Sequence, residues 1–310
     1  MCNSRGIVET IPIELIEPSQ EVNMGTGTER EGIPEISLTL REHNQSCFLE
    51  YDEGILNELA HPHLRVRICY PDGYERVYPV FQQNAGIYGE YSDYLRMHGC
   101  ACCSLTSILA AMRRNLSGIK PQDTITQVEK NLLPRQDYEK NYSRPVEKQM
   151  PVTLYGISRI LKQESIQCSY IMHFKRKTAM EVIDRHLCSG NPVIFETSRI
   201  RYKNNMIASV MDKKYAGSYH TMIMLGYDRD KRVIFTDSAT RSWAGDVQRL
   251  KWAPLPELMD YMFPQRNTQS HPVYFHRRSD TGGFILVFSR DKIENLIQKN
   301  IDKLMIFPYN

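Results

Sequence analysis

The sequence has no run close to the roughly 18 consecutive apolar residues that a membrane span requires, so no membrane partner is expected. It has no block of Lys or Arg either. Its 39 basic and 36 acidic residues leave a formal charge of +3. That surplus is too small for this length to argue for nucleic acid or an anionic surface. The opening MCNSRGIVETIPIELIEPSQE lacks a basic start followed by an apolar core, so no secretory signal is read there. A cytoplasmic location is expected, with leaderless export as an effector as the other route. There is no G-x4-G-K-[ST] phosphate loop, no internal repeat and no low-complexity tract, which removes ATP-driven transport and solenoid folds.

What is present is an ordinary globular composition over 310 residues. That is enough for one large domain, or for a core domain with a small extra module. The eight cysteines are Cys2, Cys47, Cys69, Cys100, Cys102, Cys103, Cys168 and Cys188. A chain this long needs no disulfides for stability, and a reducing cytosol keeps thiols free, so free thiols are expected. The cluster C-A-C-C at 100–103 raises a metal reading. Zinc sites pair two such clusters and no second one exists, so no metal or other cofactor is expected.

Residues 1 to about 35 are rich in Glu, Pro, Gly and Thr and read as a loose opening. Residues 36–81 read as strands, with Pro71-Asp72-Gly73 turning a hairpin over 64–81. From residue 100, Leu105, Ile108, Leu109 and Met112 recur at helical spacing. Further helices are expected near 121–132, 152–164 and 178–190, the last stopped by Gly190-Asn191-Pro192. Strands follow at 168–174, PVIFETS, YHTMIMLGY and RVIFTDS, the last two joined by the turn 228–231. A short helix LPELMDYMF, late strands PVYFHRR and GFILVFS, and an amphipathic C-terminal helix KIENLIQKNIDKL complete the pattern. This order predicts an α+β fold with a mostly antiparallel sheet. Residues 1–75 are read as a β-rich N-terminal extension and 76–310 as the catalytic domain.

Cys100 stands at the expected start of a helix, where unpaired N–H groups and partial positive charge favour thiolate, the reactive form. Cys102 and Cys103 turn elsewhere on the helix and read as small buried side chains. A nucleophilic thiol needs a base, and His220 opens a strand-like run. The base needs an orienting group, and Asp237 ends the next strand. If the two strands form a hairpin, His220 and Asp237 face each other. A side-chain amide at Gln82 or Gln83, with the backbone N–H of Cys100, could bind a developing oxyanion. Each residue also has a bland reading: a buried structural thiol, a satisfied core histidine, a turn aspartate.

The order Gln, Gly-Cys opening a helix, His at a strand start and Asp ending the next strand resembles the papain-like cysteine peptidases. The blocks GCACCSLTSIL, HTMIMLGYD and VIFTDS are similar to those of stand-alone relatives of the bacteriocin leader peptidases, which cut after double-glycine leaders. The resemblance covers about residues 80–240. It implies a papain-like fold, Cys100 as nucleophile, His220 as base, Asp237 as orienter and Gln83 as oxyanion donor. Ala101, Cys102 and Ser238 depart from the usual Gly, Pro and Pro, and none of these changes removes a catalytic atom. The implied reaction is acyl transfer at a peptide or protein amide through a thioester. Glutamine deamidation and amide-forming transfer use the same groups. A catalytically silent binding module is the alternative from another class, and a Cys100–His220 separation beyond about 6 Å would favour it.

Overall fold

Alternation along the N-terminal strands sets the first sheet. The computed structural model describes residues 33–43, 46–52, 63–113, 119–124, 154–171, 174–198, 201–203, 206–209, 219–239, 249–262 and 283–288. Strands β1 (Glu35–His43), β2 (Ser46–Glu50), β3 (His63–Cys69) and β4 (Glu75–Phe81) form a four-stranded sheet in the order β2-β1-β3-β4. β1 and β3 run parallel and the other pairs antiparallel. Ile36, Leu38, Leu40, Leu64, Val66 and Ile68 are buried at every second position, as a half-buried strand requires. The boundary expected at residue 75 falls at the start of β4. β4 pairs with β3 from Glu75 to Phe81, so strands from both sides of that boundary share one sheet.

Helix α1 (Ser92–Arg113) packs on this sheet. The sequence expectation was a helix opening at Cys100. It opens at Ser92 instead, continuing a 3-10 turn from Gly89, and the axis turns by 114° between the limb Gly89–Arg96 and the limb Gly99–Arg113. Cys100 is therefore the second residue of the second limb. That limb is buried on all sides from Gly99 to Ala111. Its hydroxyls are consequently spent on carbonyls: Ser104 Oγ donates to Thr221 O at 3.2 Å, and Ser107 Oγ donates to Pro79 O.

The larger sheet lies on the far side of α1. It comprises β5 (Cys168–Ile171), β6 (Val193–Ser198), β9 (Tyr219–Tyr227), β10 (Arg232–Thr236), β11 (Leu250–Pro254) and β12 (Phe284–Val287) in the order β11-β10-β9-β6-β12-β5. Strands β7 (Arg201–Lys203) and β8 (Met206–Ser209) form a separate pair. Neither that pair nor β11 was expected from the sequence. Each pairing within the six-stranded sheet is antiparallel. Its two faces bury different cores. Ile194, Ile223, Leu225 and Ile234 face α1, the first sheet and α2 (Leu154–Gln163). Phe195, Met222, Met224 and Phe235 face α3 (Arg176–Cys188) and α4 (Leu255–Met262). The result is the α+β architecture expected from the order of elements. Only residues 121–124 of the expected helix 121–132 are described, and they are helical. The opening segment through residue 32, PVYFHRR and the C-terminal helix lie outside the described residues.

Cys47 and Cys188 are disulfide-bonded across a 141-residue separation, with Cα atoms 5.3 Å apart. This overturns the expectation of free thiols for that pair. Packing, which the sequence did not reveal, brings β2 against the end of α3. The same junction is held by Tyr70, whose hydroxyl donates to Gly190 O at 2.8 Å. Gly190 ends α3 with φ +73, and a Cβ there would lie 2.3 Å from the Tyr70 ring, so glycine is required on both counts. Closing so long a loop is expected to stabilise the fold by about 2–5 kcal/mol. Urea unfolding with and without reductant measures it. Thiol titration of protein unfolded without reductant should find two fewer than the eight cysteines. Equal stability, or a full thiol count, would refute the bond.

Candidate active site

Two strand ends and a helix bend converge. β9 and β10 form the expected hairpin around Asp228–Lys231, with Val233 opposite Tyr227 and Thr236 opposite Ile223. His220 is the second residue of β9, and Asp237 follows the last residue of β10. His220 Nε2–H donates to Asp237 Oδ1 at 2.6 Å. The Asp237 carboxylate is 1% exposed, and its acceptors are taken up on other sides as well. Ala239 N–H donates to Oδ1 at 2.8 Å, and Lys251 Nζ donates to Oδ2 at 2.6 Å. With Nε2 on Asp237, Nδ1 is the ring nitrogen that remains, and Cys100 is among the neighbours that favour the charged ring.

Gly99 sets how close the helix can come. A Cβ there would sit 3.0 Å from Gln83 Cβ and 3.2 Å from Leu95 Cβ. Glycine thus lets the bend close on Gln83 and seats Cys100 beside it. The Gln83 amide is buried, with Nε2–H donating to Arg96 O at 3.2 Å and Oε1 accepting from Ser238 Oγ at 3.1 Å. Gln82 differs. It is half-buried, and its backbone carbonyl accepts from Tyr88 Oη at 2.6 Å. Four residues proposed from separate blocks of sequence therefore lie in one place: Gln83, Cys100, His220 and Asp237.

A family model described as Peptidase_C39 like family matches residues 75–257, more than half of the chain. The chain belongs to this family. No curated protein matches it. Membership in the Peptidase_C39-like family goes with the papain-like α+β fold and with a cysteine peptidase type of activity. The match starts at β4 and includes Gln83, Cys100, His220, Asp237 and Lys251. It leaves out β1, β2 and β3.

The electrostatics of this Peptidase_C39-like site follow from burial and neighbours. Burial works against the His220 imidazolium, but the Asp237 carboxylate and the Cys100 thiol outweigh it and push His220 up to about 10. Burial would likewise raise Asp237. Lys251 first and His220 second hold it well below the usual carboxylate range instead. His186 shows the opposite outcome: burial pushes it down to about 4, and its Nε2 meets Val287 O at 3.0 Å. It is a buried core histidine with one ring nitrogen on a carbonyl, close to the bland alternative for His220. Burial also pushes the Cys102 and Cys103 thiols up, so both stay protonated and unreactive. Among the described residues no group of three or more His, Cys, Asp or Glu could hold a metal ion.

Sequence reading missed Lys251 and Arg249. Lys251 is 0% exposed at the second position of β11, opposite Phe235, while Arg249 Nη1 reaches the carbonyls of Asp237 and Ser238 at 3.4 Å each. A signal for Lys251 did exist: a single lysine inside the apolar run L-K-W-A-P. Fully buried lysines are rare unless paired. Next to Lys251, Trp252 is buried and packs near Tyr51 with ring centroids 6.0 Å apart.

Proposed function

We propose that this chain is a cysteine peptidase or amidohydrolase acting on a peptide or protein amide through Cys100, His220, Asp237 and Gln83. The observation that carries the reading is the Asp237 carboxylate held on His220 Nε2, which leaves Nδ1 for a proton exchange with Cys100, a neighbour that favours the charged ring. His220 takes the Cys100 proton, which leaves a thiolate beside an imidazolium. The thiolate attacks the amide carbonyl, a C–S bond forms, and the oxygen gains negative charge near the Gln83 amide. On collapse the C–N bond breaks and His220 gives its proton to the leaving amine. Water then adds to the thioester as His220 takes its proton, the C–S bond breaks, and the thiolate returns. The stand-alone relation to leader peptidases rests on the blocks GCACCSLTSIL, HTMIMLGYD and VIFTDS. A double-glycine precursor peptide is accordingly the first substrate to offer.

Labelling with an iodoacetamide probe and mapping the adduct by mass spectrometry tests the nucleophile. Cys100 is expected to react first, and Cys100→Ala to abolish the fast phase. If Cys100→Ala labels as quickly as the parent, the reading is wrong. Product mass then fixes the reaction: a cut chain for hydrolysis, a gain of roughly one mass unit for deamidation, or a joined adduct for transfer.

A further inference from the structure

Ser238 meets Gln83 twice. Gln83 N–H donates to Ser238 O at 3.0 Å, and Ser238 Oγ–H donates to Gln83 Oε1 at 3.1 Å. At the other end of the amide, Nε2–H donates to Arg96 O at 3.2 Å. A primary amide carries two N–H donors, so the bond to Arg96 leaves one for another acceptor. The Gln83 Cβ stands against Gly99, the residue before Cys100, so the side chain starts beside the nucleophile's own turn. We infer that Ser238 is a positioning residue: its hydroxyl, acting through Gln83, holds the amide with Nε2 available to the carbonyl oxygen that Cys100 attacks. The inference rests on the thiol mechanism proposed above.

The terminal torsion of a glutamine lies in a broad, roughly two-fold well, so the amide needs outside contacts to keep its facing. Arg96 O can only accept, and so rejects Oε1. Ser238 supplies Oε1 with a donor. Bonds at both ends fix the amide, and removing the hydroxyl leaves Oε1 buried without that donor, which favours turning the amide away. Ser238 is itself held. Asp237 N–H donates to Arg249 O at 2.8 Å, and Arg249 Nη1 reaches both carbonyls of the dipeptide. The dipeptide Asp237-Ser238 thus serves both halves of the site. Its first side chain orients the base and its second orients the oxyanion donor.

Two electrophiles at the same thiol isolate this role. p-Nitrophenyl acetate acylates Cys100 through a tetrahedral oxyanion: the C–S bond forms, then the ester C–O bond breaks and p-nitrophenolate leaves. Iodoacetamide alkylates by forming C–S as C–I breaks, with no oxyanion. In the full chain, Ser238→Ala is expected to slow acylation about tenfold, below the cost of deleting an oxyanion donor outright, and to leave alkylation unchanged. Gln83→Ala should show the same split and a larger loss. Unchanged acylation in Ser238→Ala, or an equal fall in both rates, overturns the proposal. Failure of the thiol mechanism looks different: parent Cys100 then reacts with iodoacetamide no faster than in His220→Ala, and both readings fall.

Discussion

Replacing Lys251 with methionine is expected to cost about 3–5 kcal/mol of stability, because it leaves a buried carboxylate short of its partner. Lys251 and Asp237 are 0% and 1% exposed and 2.6 Å apart. Methionine keeps most of the volume, so a cavity is not the cause. The pH dependence identifies the mechanism. Lys251 and His220 hold Asp237 below its ordinary value of 3.8. A carboxylate depressed in this way contributes stability that is present above the unfolded value and lost as pH falls through the folded one. The gap between parent and Lys251→Met in urea unfolding should therefore be full at pH 7 and narrow as pH drops below about 4. Removing both charges in Asp237→Asn/Lys251→Met should recover most of the loss, since an apolar replacement of a buried pair is often close to neutral. A gap of equal size at pH 7 and pH 3 would rule out the charge pairing as its source.

Replacing His220 with alanine is expected to lower amide turnover by about 10²–10⁴-fold, the range for losing a positioned acid–base group. Iodoacetamide alkylation of Cys100 should slow as well, because the ring that accepts the thiol proton is gone. His220 has an ordinary value of 6.5 and is pushed up to about 10 in the fold. Its stabilising contribution is therefore fully present below about 6.5 and lost as pH rises through about 10. Over that window the parent should lose stability relative to His220→Ala in urea unfolding. Parallel stability profiles of the two proteins across pH 6–10 would sink the charged pairing of His220 with Asp237.

The disulfide and the expected cytoplasmic location point in opposite directions, because glutathione keeps most cytosolic thiols reduced.

The sequence by itself determined the local grammar of this protein. Helical spacing from residue 100, the 228–231 turn and alternation in YHTMIMLGY and RVIFTDS carried α1, β9 and β10, because period and turn chemistry are written within a few residues. The hairpin in turn put His220 and Asp237 side by side, since antiparallel pairing follows from a short connection. What only the tertiary structure decided depends on contacts between distant segments. The bend of α1 sets Gly99 against Gln83, two residues brought together by the β4–α1 packing. The Cys47–Cys188 bond needs β2 against the end of α3. Lys251 stands out in sequence only as a lone lysine in an apolar run, and its partner is set when β11 pairs with β10 and carries it, fully buried, onto Asp237. Ser238 stood out in sequence only as a departure after the aspartate, and the fold alone turned its hydroxyl onto the Gln83 amide.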